Sequence, residues 1–509
     1  MLTGSTTEIS TFKGEQRALR ADRIGTPGLL LSVLAATAPM MVVAGVVPTT
    51  FAAVGIVGVP LIFLILGVVL ILFSFGYAEM SRHVHNAGAF YAYIARGLGG
   101  TVGAAASYVA LASYSILQCG IYGIFGFEIS SQIAEHWQHN VDWWWPALGG
   151  VVIAGVFGAL KIDVNAKVLG VLLLIETALI VVFDISFLSD PGPQGVSLHA
   201  FSPHSITGAG FGTALCFCIA AFTGFEQAPV YAEETSKPQR VVARVMFLAV
   251  GFATLFFAIS AWAVTVAAGP SHVVSAAQHS PTMIFDLNQA RIGNTFTDLL
   301  NVFFITGIFA SLLSFHNVVA RYAFAMGRDG LLPRSVSRTT NSGGAPIVGS
   351  LIQTVIALVV VAAFAITDNK PGGDPSFAPM MRLFTWAGNI GALGIVLLMA
   401  ISSIAIIVFF LKRGAARVQA WRLITSAVSA IALLVIAFYA VKDFKVLLGV
   451  DPGHGLRWIL PGIIGLAAFA GLVYGAVLRV KSPAAHARIG QGNEAFQLDK
   501  AASSAETSA

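Results

Sequence analysis

The sequence predicts an all-α membrane protein with twelve transmembrane helices, and two observations carry that prediction. Hydrophobic residues make up 56% of the 509 residues and charged residues only 10%, whereas soluble domains contain about 25% charged residues. Apolar stretches of about 20 residues also recur along the chain, and this length crosses a hydrocarbon layer of ~30 Å. Most soluble classes of protein are therefore excluded, and the net charge of +5 does not argue for nucleic-acid binding.

Glycine, proline and charged residues divide the apolar stretches into twelve predicted spans. The spans lie near residues 28–48, 54–78, 101–130, 144–161, 166–188, 208–232, 241–268, 295–326, 346–366, 383–411, 419–440 and 458–479. The segment 1–27 is polar and has no apolar stretch of its own, so we expect no cleavable signal peptide. The segment 481–509 is rich in small residues and lacks an apolar period, which predicts a disordered tail.

The placement of lysine and arginine predicts the orientation of these spans. Of the 29 such residues, six fall in connections on one side, namely Arg291, Lys370, Arg382, Lys442, Lys445 and Arg457. The remaining 23 fall on the side that holds both termini. Because cytoplasmic connections carry the excess of lysine and arginine, we expect both termini in the cytoplasm and the protein in the cell membrane.

Two of the predicted spans are interrupted at comparable depth. In the first span, the segment 35–40 (Ala-Ala-Thr-Ala-Pro-Met) lies about halfway along. Pro39 has no N–H, so the carbonyl of Ala35 loses its helical partner. In the sixth span, Gly224 precedes Glu226, and a glycine is where helix geometry fails most readily.

The sixth span also carries an ionisable group at membrane depth. Placing Glu226 in hydrocarbon costs at least ~2.5–3.5 kcal/mol, so such a residue is expected to have a function. A broken helix with a carboxylate at this depth is typical of a transport site. Because the interruptions are five spans apart, they predict an inverted five-plus-five repeat over 28–188 and 208–411, followed by two helices over 419–480. The alternative is that Pro39 only kinks its helix and Gly224 only allows close packing.

Four groups of residues carry a resemblance to a known family. They are Phe222–Glu226 followed by Glu233, Glu234, Thr235 and Pro238; Glu79 followed by Asn86–Tyr93; Arg321 followed by Arg328–Pro333, Ala345 and Pro346; and Lys161–Lys167. Together they resemble the amino acid–polyamine–organocation permeases over roughly residues 25–480. The resemblance implies a leucine-transporter-type fold, in which helices one and six hold the substrate and helices three, eight and ten complete the pocket.

The resemblance also implies which residues bind the substrate. They comprise the two interruptions, the acid beside the second one and an aromatic residue of the eighth span: Ala36, Thr37, Ala38, Pro39, Met40, Ala221, Phe222, Thr223, Gly224, Glu226 and Phe315. Phe222 would stack on the substrate or gate its path. For Phe222 and Phe315 the alternative is packing between helices.

Two features depart from the pattern of the relatives. Relatives that bind α-amino acids carry Gly-Ser-Gly-type residues at the first interruption, whereas here Pro39 removes one amide, which favours amines or unusual amino acids. Nine residues after Lys167, Glu176 stands where many proton-coupled relatives have lysine. Glu176 and Glu226 are therefore candidates for proton coupling, although Glu176 could instead be a hydrogen-bonded acid that braces helix one. His316 is a further candidate proton carrier, or else one partner in an interhelical hydrogen bond.

The predicted function is secondary active transport of amino acids by proton symport with alternating access. The alternative on the same fold is a transporter of polyamines, ethanolamine or other organic cations, or an exchanger. An enzyme is not expected, because the histidines are scattered through loops and no catalytic set is clustered. Cys119, Cys216 and Cys218 lie inside apolar segments, so we expect no disulfide framework, metal or other cofactor. The expected partners are a small-molecule substrate, the proton and the lipid bilayer, and not nucleic acid.

Overall fold

The protein is described here from a computed structural model, which covers Leu19 and residues 24–84, 86–159, 162–208, 210–235, 237–279, 282–340, 344–367, 377–412, 420–449 and 453–492. Within these ranges the chain is helical, and the β-structure among them is an isolated bridge between Ile24 and Thr235. The predicted all-α class is confirmed. Most of the predicted N-terminal segment and residues 493–509 of the predicted tail lie outside the described residues.

Helices form most of the described part of the chain. They are α1 (Thr26–Thr37), α2 (Pro39–Met41), a π-helix (Val42–Val46), α3 (Val47–Val54), α4 (Val59–Ser81), α5 (Ala89–Leu98), α6 (Gly100–Trp137), α7 (Trp144–Gly158), α8 (Ile162–Ser189), α9 (Phe211–Ala220), a 3₁₀-helix (Phe225–Tyr231), α10 (Pro238–Ala268), α11 (Val273–His279), α12 (Met283–Arg291), α13 (Asn294–Asp329), α14 (Ile347–Thr367), a π-helix (Phe377–Trp386), α15 (Ala387–Lys412), α16 (Ala420–Lys442), α17 (Phe444–Leu448), α18 (Leu456–Lys481) and α19 (Pro483–Arg488). Short 3₁₀-helices at His199–Phe201, Pro203–Ile206 and Arg334–Ser337 lie in connections.

Eleven of the described helices are long and apolar enough to cross a membrane, with α1 to α3 taken as one helix and α9 taken together with the 3₁₀-helix that follows it. The predicted span over 144–161 is the shortest, because α7 has only 15 residues. The protein is a multi-pass membrane protein. The count of twelve spans and the division into two inverted repeats stay predictions.

Several connections that the sequence left without structure are helical. The segment after α4 forms the amphipathic helix α5, whose residues Phe90, Tyr91 and Tyr93 are fully buried. The prediction of a disordered tail from residue 481 is wrong for residues 483–492. These residues form α19 and a turn that packs against the body of the protein, because Ile489 is buried and two glycines allow close approach.

The interruption of the first span follows from the proline. The residue before a proline is disfavoured in the α-helical region, and Ala38 adopts φ 42° and ψ 74°. Its amide bonds to the carbonyl of Ala35 at 3.2 Å, which ends α1 at Thr37. Helical structure then resumes at Pro39, whose fixed φ suits the first position of a helix.

The interruption of the sixth span lies directly against the first one. After α9 ends at Ala220, residues 221–224 form a turn and Gly224 adopts φ 130°. A Cβ placed on Gly224 would lie 2.8 Å from the Cβ of Ala36 and 3.3 Å from the amide nitrogen of Thr37. The absence of a side chain at Gly224 therefore lets the two interrupted helices touch.

Ion pairs gather at one end of the helix bundle, which we call the basic end. They join Glu79 to Arg422 and Arg82, Glu233 to Arg328, and Glu234 to Arg321. At the opposite end, Arg291 pairs with Asp190 and His136 lies beside Asp298. The interruptions lie between these two ends, so a solute bound there would have to pass one end to leave.

Candidate functional site

Glu226 lies at the centre of the candidate site, two residues after Gly224 of the second interruption. Its side chain is fully buried. One carboxylate oxygen accepts a hydrogen bond from the hydroxyl of Tyr114 at 2.7 Å, and the other accepts from the amide of Gly224 at 2.8 Å. Tyr114 belongs to α6, so the third predicted span contributes to the site, and Tyr114 was not among the residues predicted from the sequence.

Glu176 provides a second buried carboxylate, at the first interruption. Its Oε1 accepts a hydrogen bond from the amide of Met40 at 2.5 Å, and 2% of the residue is exposed. The opposite wall is Gly307 of α13, where an added Cβ would lie 2.6 Å from Oε2 of Glu176. Glu176 therefore joins α8 to the start of the second half of helix one, and this is the geometry of the bracing alternative.

Neither carboxylate has a cationic partner in the part of the chain that the structure describes. The ion pairs there include neither Glu176 nor Glu226. By contrast, Glu234 is bound through both oxygens by Arg321 at 2.5 and 3.0 Å. Because an isolated buried carboxylate is costly, it is stable only with a proton or with a cation that binds beside it.

The backbone amides of the two interruptions are already bonded to the protein. The amides of Met40 and Gly224 donate to the carboxylates of Glu176 and Glu226. The amide of Ala38 donates to a backbone carbonyl, and Pro39 has no N–H. Among these groups, the site presents carboxylate oxygens rather than N–H donors.

Helix α13 closes the other side of the first interruption. The hydroxyl of Ser311 donates to the carbonyl of Ala36 at 3.0 Å, and the hydroxyl of Ser314 donates to the carbonyl of Ser32 at 3.0 Å. Phe315 is buried with its ring centroid 6.2 Å from that of Tyr114. Phe315, the predicted residue of the eighth span, thus lies beside Tyr114, which donates a hydrogen bond to Glu226.

The predicted site residues of both interruptions are buried, and they are not all directed toward one space. All eleven of the residues implied to bind substrate are buried. The Phe222 ring lies between Phe63 and Phe257, with both centroids 6.0 Å away. In this conformation Phe222 packs between helices, which is the alternative to a contact with substrate. A contact between Phe222 and substrate stays a prediction.

At the basic end, residues of the family motifs form a bonded cluster that we call the clamp. It comprises Ala87, Tyr91, Glu233, Arg328 and Asp329. Arg328 binds both oxygens of Glu233 at 2.7 and 2.8 Å, while one of these oxygens also accepts from the amide of Ala87 at 2.9 Å. Tyr91 donates to Asp329 at 3.1 Å. Burial, reinforced by the neighbouring Asp329, raises the pKa of Tyr91 well above its usual value, so its hydroxyl keeps the proton that it donates. The segment after helix six is thus held to α13 and to the connection before α5.

A second buried polar cluster joins α6, α13 and α14. The amide nitrogen of Gln118 lies 3.2 Å from Nδ1 of His316, and Nε2 of His316 lies 2.7 Å from the hydroxyl of Ser350. Gln353 donates to the side-chain oxygen of Gln118 at 2.6 Å. Both ring nitrogens of His316 are therefore engaged, as the interhelical hydrogen-bond interpretation expects. Two amide side chains inside apolar spans were the sequence signal that could have indicated this cluster.

The comparison with protein families agrees with this arrangement. The family described as amino acid permease matches residues 30–453. The chain belongs to this family. The permease therefore lies in the superfamily that the sequence motifs resemble, and that prediction is confirmed.

Individual relatives of the permease are transporters. It is 24% identical over 320 residues to the branched-chain amino acid permease BcaP of Lactococcus lactis, across 57% of this chain and 65% of that protein. It is 26% identical over 285 residues to the low-affinity putrescine importer PlaP of Escherichia coli, across 52% of this chain and 57% of that protein. The matches thus span less than two thirds of either relative. These similarities indicate a transporter rather than an enzyme.

Solved structures support the fold. The manganese transporter of Eremococcus coleocola, in complex with an aromatic bis-isothiourea substituted compound, superposes with a TM-score of 0.57 over 91% of this chain and 94% of that chain. Sequence identity is 13%. At this level of identity the similarity concerns the fold alone.

Proposed function

We propose that this permease is a secondary active transporter of a small solute that carries a protonated amine, and that it works by alternating access. The single observation that carries the proposal is Glu226, a fully buried carboxylate at the contact of two broken helices with no cationic partner among the described residues. An ammonium group bound there would supply the missing charge. Amino acids and organic amines both contain such a group.

The relatives support both classes of solute. The amino acid permease family and the branched-chain amino acid permease BcaP favour the predicted amino acid substrate. The putrescine importer PlaP favours the alternative, an organic amine. The shared feature of these solutes is the ammonium group, which is the part that we propose Glu226 binds.

We further propose that transport is coupled to protons through Glu176, with Glu226 as a second proton acceptor when the solute is absent. Hydrogen bonds to a charged acceptor are worth about 1.5–3 kcal/mol, more than those to a neutral one. Protonation of Glu176 would therefore weaken its bond with the amide of Met40. The second half of helix one would then be freer to move against α8.

Alternating access also requires the site to open toward the basic end, where the clamp lies. We propose that the basic end faces the cytoplasm, as the distribution of lysine and arginine predicts. Opening toward that side requires the pairs Glu233–Arg328 and Glu234–Arg321 to separate. Discrete rearrangements of this kind are how transporters expose one site to each side in turn.

Glu226→Gln tests the binding role. A hydrogen bond involving a charged group contributes about 1.5–3 kcal/mol, which corresponds to a loss of roughly 10- to 100-fold in affinity for the amine. Binding is measured by thermal shift and by uptake into proteoliposomes. Glu135→Gln, at the exposed end of α6, is the matched control. Unchanged binding and uptake in Glu226→Gln would contradict the proposal.

Glu176→Gln tests the coupling role separately. The variant keeps an oxygen that can accept from the amide of Met40 but cannot take up a proton reversibly. We expect this variant to lose the accumulation of solute that an acidic external pH drives. It should retain solute counterflow, because counterflow needs no net proton movement. Full acid-driven accumulation in this variant would eliminate Glu176 as the coupling residue and leave the bracing role.

A further inference from the structure

We propose that Glu176 is a specificity-determining residue, which occupies with its own carboxylate the place where helix one would otherwise hold the carboxylate of an α-amino acid. The permease should therefore select amines that lack an α-carboxylate. This inference rests on the proposed function and narrows its substrate class.

The first step concerns the start of the second half of helix one. In transporters with broken helices, the N-terminus of a half-helix points at the anionic group of the substrate. In this chain helical structure runs without a gap from Pro39 to Val54. Among the amides at its start, that of Met40 is bonded to Glu176 at 2.5 Å. Pro39 removes the neighbouring donor.

The second step concerns how the carboxylate of Glu176 is held in this place. The side chain comes from α8 and is buried between helix one and α13. An added Cβ at Gly307 would lie 2.6 and 2.9 Å from the two carboxylate oxygens. Contacts below 3.0 Å force a neighbour to move, so a side chain at residue 307 would displace Glu176. The site is therefore shaped around the carboxylate.

The third step concerns the second interruption, which is filled in the same way. The amide of Gly224 donates to Glu226 at 2.8 Å. A substrate carboxylate brought to the two interruptions would find the amides of Met40 and Gly224 already bonded, and burying it without these donors is costly. Where either glutamate is ionised, repulsion between like charges adds to this cost. An amine without a neighbouring carboxylate avoids both costs.

Pairs of ligands that differ only by the carboxylate test the inference. Suitable pairs are putrescine with ornithine, ethanolamine with serine and isobutylamine with valine. For the purified full-length permease we expect the amine of a recognised pair to bind at least about tenfold more tightly, which corresponds to one charge-assisted contact. Binding is read from thermal shift and from competition of uptake.

Two variants should reduce this preference. Glu176→Ser removes the carboxylate and leaves the amide of Met40 free, so the ratio of amine to amino acid affinity should fall at least about tenfold. Gly307→Ala keeps the charge but moves Glu176, and it should lower the ratio in the same direction. It also decides the outcome if Glu176→Ser does not fold. Gly45→Ala is the control, because an added Cβ there meets no atom within 4 Å.

The outcomes separate the two proposals. If the wild-type permease binds neither member of any pair and also binds no other amine, the proposed function itself fails. If it binds both members equally or prefers the amino acid, the role of Glu176 in specificity fails and the proposed function stands. An unchanged ratio in a folded variant would also overturn the role of Glu176.

An independent observation concerns the segment Pro483–Gly492, and we infer that this segment locks the basic end in its closed arrangement. The amide of Gly490 donates to Asp329 at 2.8 Å, and Asp329 also accepts from Tyr91. A Cβ at Gly492 would lie 2.8 Å from Asn86 and 3.1 Å from Arg328. The segment thus contacts the same residues that form the clamp.

Two glycines allow this docking. Gly490 and Gly492 have φ of 77° and 59°, where residues with a side chain are strained. A Cβ on Gly490 would lie 2.9 Å from the Cβ of Ala95. Because opening the clamp requires Arg328 and Asp329 to move, the docked segment must leave first.

Gly490→Val and a chain ending at Ser482 test this lock. Both should raise the rate of solute exchange in proteoliposomes at least about twofold, because the closed arrangement loses the hydrogen bond from the amide of Gly490 to Asp329. Gly453→Val is the control, since an added Cβ there meets no atom within 4 Å. A thermal melt confirms folding. An exchange rate in both variants that equals or falls below the wild-type rate would overturn the inference.

Discussion

Gly224→Ala should separate the two interrupted helices. The change places a methyl carbon 2.8 Å from the Cβ of Ala36, whereas carbon atoms pack at about 3.5–4.0 Å. Relief of this contact requires the two helices to move apart by about 0.7–1.2 Å. The backbone of Gly224, at φ 130° and ψ −34°, adds strain of about 1–3 kcal/mol for a residue with a side chain.

The overlap and the strain together set the magnitude. Overpacking a well-packed interior costs about 1–3 kcal/mol, so the expected total is about 2–6 kcal/mol if the effects add. Because the amide of Gly224 donates to Glu226, the same displacement should disturb the carboxylate and weaken binding of an amine. The assay is thermal denaturation of the purified protein in detergent, with and without the amine.

Gly45→Ala is the control for Gly224→Ala. Gly45 lies in the other interrupted helix, helix one, which Gly224 contacts at Ala36, and an added Cβ on Gly45 meets no atom within 4 Å. Within a helix, alanine in place of glycine is favourable by up to about 1 kcal/mol, so the melting temperature should stay equal or rise. If Gly224→Ala melted and bound amine as Gly45→Ala does, the close contact of the two interruptions would be refuted.

Three further changes probe the site and the clamp. Tyr114→Phe removes the donor to Glu226 and should weaken amine binding about three- to tenfold, from a hydrogen bond of about 0.5–1.5 kcal/mol; wild-type affinity in the thermal-shift titration would contradict this contact. Arg321→Met leaves Glu234 buried without its partner and should destabilise the protein by about 3–5 kcal/mol, whereas the double variant with Glu234→Met should recover most of that loss in a thermal melt, and equal melts of the single and double variants would argue against the pair. His316→Gln should retain acid-driven accumulation in proteoliposomes, because both ring nitrogens are engaged in structural contacts; loss of accumulation with retained counterflow would instead make His316 a proton carrier.

The positions of the interruptions could be predicted because their causes are local. Pro39 lacks a donor and restricts Ala38, and these effects require no knowledge of the rest of the chain. Gly224 is similar, since a glycine tolerates the φ of 130° that it adopts. The depth of Glu226 followed from its place in an apolar stretch. The roles of these three residues could therefore be predicted from the sequence and from the cost of burying polar groups in lipid.

The partners of the buried acids could not be predicted in the same way. Glu176 was singled out by its position in the fifth predicted span, but its contact with the amide of Met40 joins residues 136 positions apart. Tyr114, which donates to Glu226 across 112 positions, was not identified at all. Periodicity shows which face of a helix is apolar, and it does not show which residue of another helix lies opposite.

The sequence by itself determined that this chain crosses a membrane many times, that its first and sixth spans are interrupted, and which family its motifs resemble. These properties depend on composition, on proline and glycine chemistry and on short motifs, all of which act along the chain. Only the tertiary structure decided that one amide at each interruption, that of Met40 and that of Gly224, is bonded to a carboxylate of the protein. It also decided that Phe222 packs between helices and that residues 483–492 dock on the clamp. Such contacts join distant segments, so they depend on how the helices pack in space.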